Sequence, residues 1–68
     1  MFPQPGALIQ QAVQLFQQGD LVRAAKHLQQ ALLAQPKNFD ALHILGVIRG
    51  LQADAKEAAK LFEKAIAL

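Results

Sequence analysis

The sequence repeats itself at a fixed distance of 34 residues. When residues 5–34 are aligned with residues 39–68, nine of the 30 pairs are identical. The identical pairs are Ala7/Ala41, Leu8/Leu42, Val13/Val47, Gln18/Gln52, Asp20/Asp54, Ala24/Ala58, Ala25/Ala59, Lys26/Lys60 and Ala31/Ala65. A fixed period of this length is typical of proteins that stack copies of one small structural unit.

The composition indicates that each unit is helical. Ala, Leu, Gln and Lys dominate, β-branched residues are scarce, and the chain has only 4 Gly and 3 Pro. These proportions favour α-helix. With 53% hydrophobic and 18% charged residues, the chain has the composition of a globular protein and not of a disordered one. An all-α fold is therefore expected.

Hydrophobic periodicity divides the chain into four helices. The first follows the segment MFPQPG, the second spans about 21–35, the third about 39–52, and the fourth begins at Asp54 and reaches Leu68. The positions predicted to face inward are Leu8, Ile9, Ala12, Val13, Leu15 and Phe16, then Ala24, Ala25, Leu28, Ala31 and Leu32, then Leu42, Leu45, Gly46 and Ile48. The opposite face of the first helix carries Gln10, Gln11, Gln14, Gln17 and Gln18. This face has no preceding repeat to cover it and is expected to be exposed.

The breaks between these helices carry residues typical of helix ends. Gly19 suits the left-handed conformation that often closes a helix, and Pro36 ends the second helix because proline disfavours helical geometry in the residue before it. The residues predicted to cap the following helices are Asp20, Asn38 and Asp54, with Glu57 at capping-box spacing from Asp54.

These features resemble the tetratricopeptide repeat family, whose units are 34-residue helix–turn–helix hairpins. The matching residues are Leu8, Ala12, Leu15, Gly19, Asp20, Ala24, Leu28, Ala31 and Pro36 in the first unit, and Leu42, Leu45, Gly46, Asp54, Ala58, Phe62 and Ala65 in the second. The resemblance implies one α-solenoid domain over residues 1–68, with two hairpins and four antiparallel helices. The first repeat would span about 5–38 and the second, incomplete repeat about 39–68. Because the second repeat stops before its closing proline, we expect the chain to be the N-terminal part of a longer protein.

The resemblance also implies a partner site in a concave groove lined by the first helix of each hairpin. The groove positions are Ile9, Val13, Phe16, Gln17, His43, Val47, Gly50 and Leu51. Some family members clamp a C-terminal carboxylate with Lys and Asn, whereas the matching positions here hold Ile9, Val13, His43 and Val47. We therefore expect a protein–protein interaction scaffold that binds an apolar or amphipathic peptide or helix. The alternative is an N-terminal recruitment module of a larger multidomain enzyme such as a transferase.

The chain lacks the residue types that most catalysis requires. It contains no Ser, Thr, Cys, Tyr or Trp, so the usual oxygen and sulfur nucleophiles are absent. We expect neither enzyme activity nor a cofactor. His27 and His43 are the only neutral candidates for metal ligands, and they lie 16 residues apart on different predicted helices. Because a metal site normally takes three or four convergent ligands, no metal site is predicted.

Nucleic acid and membrane are also unexpected partners. Lys56, Lys60 and Lys64 share one helical face, but Glu57 and Glu63 flank them at salt-bridge spacing and the net charge is only +2. The longest apolar run is far below the roughly 20 residues of a membrane span, and the N-terminus has no signal-peptide pattern. Together with the lack of cysteine, this pattern favours a cytoplasmic protein.

The last helix is predicted to mediate self-association. Two repeats are fewer than the three or so that such arrays usually need, and no polar capping helix follows the second. The apolar residues of this helix that remain for a further neighbour are Ala59, Leu61, Phe62, Ile66 and Leu68. Uncovered, they would form an apolar patch that soluble monomers tend to avoid. We expect a homo-oligomer, a dimer or higher.

The second hairpin turn holds Ala53 where the first holds Gly19. Alanine favours helix over glycine by roughly 1 kcal/mol, so the last two helices have a tendency to merge into one helix of about 45 Å. Two chains would then exchange the last helix in a domain-swapped dimer. The Asp54 cap and the apolar contacts between the two helices favour the ordinary hairpin, which we expect.

Overall fold

The computed structural model describes residues 4–67. Its four helices are α1 (Pro5–Gln17), α2 (Leu21–Ala34), α3 (Phe39–Leu51) and α4 (Ala55–Ala67), and this part of the chain has no strand. α1 packs along α2 and α3 along α4, while α2 also packs on α3. The predicted all-α fold of two helical hairpins is confirmed. The Cα atoms occupy a flat slab of 34 × 27 × 13 Å.

The helix ends differ slightly from the predicted ones. α1 begins at Pro5, two residues before the predicted start. Proline is tolerated there because the N–H groups of a helix's first turn have no acceptor within the helix, so the N–H that proline lacks is not needed. α2 and α3 each end one residue earlier than predicted, and α4 begins just after Asp54. The predicted end of α4 at Leu68 lies outside the described residues.

The core consists of small and aliphatic side chains that lie where the helices meet. Its fully buried members are Ala12, Ala24, Leu28, Ala31, Ala41 and Ile48. Among residues 4–67 no polar or charged side chain is buried. The alanines let the helix axes approach closely, and the larger Leu28 and Ile48 fill the remaining space. The predicted inward positions Leu42, Leu45 and Gly46 are also buried.

Both hairpin turns have the same hydrogen bonds. At the end of α1 the Gly19 N–H donates to the Phe16 carbonyl oxygen (3.0 Å) and the Asp20 N–H to that of Leu15 (2.9 Å). At the end of α3 the Ala53 N–H donates to Gly50 (3.1 Å) and the Asp54 N–H to Arg49 (2.8 Å). This pair of bonds is the Schellman motif, which requires a left-handed residue just beyond the helix. Gly19 has φ 83° and Ala53 has φ 62°.

The conformation of Ala53 decides between the two arrangements considered for the second hairpin. α3 ends at Leu51 and α4 packs back on α3 of the same chain, so the single long helix is not formed. The chain adopts the ordinary hairpin although a non-glycine residue occupies the left-handed position, which costs about 1–2 kcal/mol. Burial of one face of α4 outweighs this local cost.

The three predicted caps form. The Asp20 carboxylate accepts a hydrogen bond from the Arg23 N–H (3.1 Å), and the Asn38 side-chain oxygen accepts one from the Ala41 N–H (3.0 Å). The Asp54 carboxylate accepts one from the Glu57 N–H (3.2 Å). The predicted capping box is only half formed, because the Asp54 N–H already donates to a carbonyl oxygen of α3 and leaves no donor for the Glu57 carboxylate.

The two hairpins bury equivalent positions to different extents. On α3, Ala41, Leu45 and Ile48 are buried, and these residues lie on the side that meets the first hairpin. The equivalent residues of α1, 34 positions earlier, are Ala7, Gln11 and Gln14, and all three are exposed. The other predicted glutamines of this face, Gln10, Gln17 and Gln18, are exposed too. The first hairpin therefore presents a polar outer face, as the sequence predicted.

Candidate functional site

A cleft of about 340 Å³ lies between α1 and α3. Its lining residues are Val13, Phe16 and Gln17 from α1 and His43, Ile44 and Val47 from α3. The cleft forms here because α1 and α3 touch only slightly, each being held chiefly by the second helix of its own hairpin. Equivalent positions of the two repeats, Val13 and Val47, both contribute to it.

Five of the eight predicted groove residues line this cleft: Val13, Phe16, Gln17, His43 and Val47. Ile9 does not line it, and its side chain is half-buried against the core. Gly50 and Leu51 also lie outside the lining, in the last turn of α3, where Leu51 is 62% exposed. The sequence prediction missed Ile44. Its signal was its position three residues before Val47, which places both side chains on neighbouring turns of one helix face.

The lining of the cleft is mainly apolar. Val13, Phe16, Ile44 and Val47 are each half-buried, so their side chains present apolar surface that a partner would cover. Gln17 and His43 are exposed and supply the polar groups of the rim. An apolar floor with a few polar groups at its edge is the usual character of a binding site.

His43 is held among aromatic rings at one wall of the cleft. Its imidazole stacks on the Phe39 ring, with centroids 5.7 Å apart and planes 10° from parallel. The Phe62 ring lies at a centroid distance of 5.8 Å from the same imidazole, with the two planes 54° apart. These contacts connect the cleft with α4, which carries Phe62.

Gly46 explains how Phe62 comes so close to α3. A Cβ atom at Gly46 would lie 2.8 Å from Cε1 of Phe62 and 3.0 Å from two further ring atoms. Glycine therefore leaves the space in which the ring lies. The equivalent pair in the first hairpin is Ala12 and Leu28. Alanine is slightly larger than the glycine at position 46, and leucine is smaller than the phenylalanine at position 62.

The residues predicted for self-association are not all exposed. Ala59 is exposed, Ile66 is 82% exposed and Phe62 is half-buried. Leu61 is only 5% exposed, so its side chain belongs to the core and is not part of a free surface. The prediction placed Leu61 on the free side of α4 because the apolar residues of this helix lie close together in the sequence. The sequence alone does not show which of them face α3. Leu68 lies outside the described residues.

A second apolar cleft, of about 450 Å³, lies where α2, α3 and α4 meet, and the sequence did not indicate it. Its lining residues are Gln29, Leu32, Leu33, Pro36, Leu42, Leu45, Glu57, Leu61 and Lys64. Leu42, Leu45 and Leu61 are core residues, so its floor is the edge of the core. Its charged rim distinguishes it from the cleft between α1 and α3.

The two histidines lie in different surroundings. The Nδ1 atom of His27 is 2.9 Å from the Arg23 carbonyl oxygen, one turn earlier in α2, whereas His43 stacks on aromatic rings. Within residues 4–67 no three His, Cys, Asp or Glu side chains are grouped closely enough to hold a metal ion. Over the same residues, no helix has both the length and the apolar character needed to cross a membrane.

In comparisons with protein-family models, curated protein sequences and solved structures, no significant match to the chain was found.

Proposed function

We propose that this chain is a protein–protein interaction scaffold of the tetratricopeptide repeat type. The observation that carries the proposal is the apolar cleft between α1 and α3, to which both repeats contribute an equivalent valine. The 34-residue period, the two similar hairpins and the Schellman hydrogen bonds that both turns share support the family resemblance. The proposal involves no catalytic step, cofactor, metal or nucleic acid, in keeping with the absence of Ser, Thr, Cys and Tyr from the sequence.

The character of the cleft favours one class of partner. Its volume of about 340 Å³ accommodates a few side chains, and its floor consists of Val13, Phe16, Ile44 and Val47. No lysine or arginine lines it, so it offers no charged group to a carboxylate. An amphipathic helix that places its apolar residues in the cleft, with its polar face toward solvent, fits this lining.

A peptide titration tests this proposal. We expect a labelled amphipathic helical peptide to bind more tightly than a labelled peptide ending in Glu-Glu-Val-Asp, as measured by fluorescence anisotropy. Val47→Glu should weaken binding of the first peptide at least about tenfold, because it introduces a charge into the apolar lining. Leu33→Glu is the matched control, since Leu33 is 85% exposed and lies outside this cleft. Tighter binding of the acidic tail, or equal affinities for Val47→Glu and the control, would contradict the proposal.

We further propose that the scaffold self-associates through the exposed side of α4. The supporting observation is that Ile66 is 82% exposed and Ala59 is also exposed, whereas the equivalent residues of α2 are largely covered by α3. An apolar helix face without a neighbour is a common interaction surface.

A further inference from the structure

The second hairpin carries an exposed apolar surface whose equivalent on the first hairpin is covered. This open face consists of Phe39 and His43 on α3 and of Ala59, Phe62 and Ile66 on α4, of which only Phe62 is as much as half-buried. The equivalent residues of the first hairpin are Pro5, Ile9, Ala25, Leu28 and Leu32, and every one of them is buried or half-buried. The molecule itself therefore shows that a face of this kind receives a helix.

The helix that covers the first hairpin shows what such a face accepts. α3 meets it with Ala41, Leu45 and Ile48, which are at most 3% exposed. A second copy stacked head to tail would present α1, whose equivalent residues are Ala7, Gln11 and Gln14. Two glutamines would then lose water against a face whose residues, His43 apart, have apolar side chains without a hydrogen-bonding group, which is costly. Head-to-tail stacking of copies is therefore disfavoured.

We propose that the open face packs against the open face of a second copy, in a closed two-fold dimer with antiparallel α4 helices. This inference deepens the proposed self-association and rests on it. In a two-fold interface both copies contribute the same surface. The two apolar open faces therefore cover each other, and the glutamines of α1 take no part in the contact. The dimer is closed because, within residues 4–67, the other end of the array is the polar face of α1 with Gln11 and Gln14.

The charges beside the open face favour the antiparallel arrangement. Lys56 and Glu63 are both exposed and lie seven residues apart, which places them on the same side of α4. In an antiparallel pair of α4 helices, Lys56 of each copy lies near Glu63 of the other, and the interface gains two ion pairs. The midpoint of Lys56 and Glu63 falls three residues, or about 4.5 Å, from the midpoint of Ala59 and Ile66, an offset that the long lysine side chain spans. A parallel two-fold pair would place the Lys56–Glu63 flanks of the two copies on opposite sides of the interface, where these ion pairs cannot form.

Analytical ultracentrifugation of the full chain over a range of concentrations tests the dimer. We expect a monomer–dimer equilibrium with no larger species. Ile66→Glu should weaken dimerisation at least about tenfold, since it introduces a charge into the apolar contact between the two faces. Leu33→Glu, which changes an equally exposed leucine of α2 off this face, should leave the dimer unchanged. A chain that stays monomeric at every concentration contradicts both this inference and the self-association; unlimited assembly contradicts only the closed dimer.

A charge exchange tests the orientation. Lys56→Glu alone should weaken the dimer roughly fivefold, because each Glu63 then faces a glutamate. The double variant Lys56→Glu/Glu63→Lys should restore the original affinity, since the pairs re-form with reversed sign. If the double variant binds no better than the single one, the helices are not antiparallel.

A third pair of changes tests why the assembly closes. Gln11→Leu with Gln14→Ile gives α1 the residues that α3 carries at the equivalent positions, Leu45 and Ile48. This variant should acquire the head-to-tail route and sediment as a broad series of larger species. If it remains a dimer, the glutamines are not what blocks stacking.

Peptide binding in the cleft, measured on monomeric Ile66→Glu, reports separately on the scaffold function, because Ile66 does not line that cleft.

Discussion

Ala53 and Gly19 occupy the same position in the two hairpin turns, although only glycine lacks a Cβ atom. Both residues take the left-handed conformation that closes a helix, at φ 62° and φ 83°. Glycine does this without steric cost, whereas alanine brings its Cβ too close to the following carbonyl oxygen. The second hairpin therefore contains local strain that the first does not. Asparagine and glycine are the usual residues at such a position, and the sequence gives neither there.

Ala53→Gly should stabilise the protein by roughly 1 kcal/mol, because it removes the strain while the Schellman hydrogen bonds remain. The converse change, Gly19→Ala, should destabilise it by a similar amount. Apart from Gly19 itself and its two chain neighbours, no residue has a heavy atom within 4 Å of a Cβ built at Gly19, so that cost is a backbone effect alone. Urea unfolding followed by circular dichroism measures both. If Ala53→Gly lowers the free energy of unfolding, the left-handed conformation of Ala53 is not a source of strain.

The contact between α3 and α4 depends on a glycine opposite a phenylalanine. Phe62 lies over Gly46 and reaches the His43 ring, so it links the core of the second hairpin with the wall of the cleft. The first hairpin solves the same packing problem with Ala12 and Leu28, both fully buried. In both hairpins a small residue on the first helix faces a larger one on the second, so the space between the two helices is filled.

Gly46→Ala should destabilise the protein by about 1–3 kcal/mol, because the new methyl group would lie 2.8 Å from a ring carbon of Phe62. Adding Phe62→Leu should recover most of this loss, since the double variant carries the pair that the first hairpin already uses. The coupling between the two changes is obtained from unfolding free energies in a double-mutant cycle. Additive effects would show that the ring moves aside at no cost.

At the level of the whole molecule, much of this architecture could be predicted from the sequence. The number of helices, their caps and the buried residues of α2 and α3 follow from apolar spacing and from residues with strong positional preferences, such as Asn38 and Pro36. These signals act over one or two turns of chain. The conformation of Ala53 could not be predicted this way, because local preference there favours helix and the decision comes from the packing of α4 on α3.

The site was predicted less completely than the fold. Periodicity identified Val13 and Val47, whose repeat positions match, but it assigned Leu61 to the surface and missed Ile44. Both errors have one cause. A helix that packs against two neighbours has an apolar stripe wider than one face, and the sequence does not show where one contact ends and the next begins.

The dimer proposed above makes thermal stability depend on concentration. For the unchanged chain we expect Tm to rise with protein concentration, because association stabilises the folded state by mass action. Ile66→Glu should show a lower Tm that is independent of concentration. Differential scanning fluorimetry over a wide range of concentrations measures both. A constant Tm for the unchanged chain would mean that association contributes nothing to its stability.

The turns have a consequence for how the molecule opens. In each turn one aspartate donates its N–H to the end of the first helix and accepts an N–H from the start of the second through its side chain, as Asp54 does with Arg49 and Glu57. Because one residue holds both helix ends, we expect fraying of one end to loosen the aspartate that holds the other. The natural unit of local unfolding is therefore the hairpin and not the single helix. In native-state hydrogen exchange, amides on both sides of one aspartate should lose protection together, while the two hairpins lose it at different free energies.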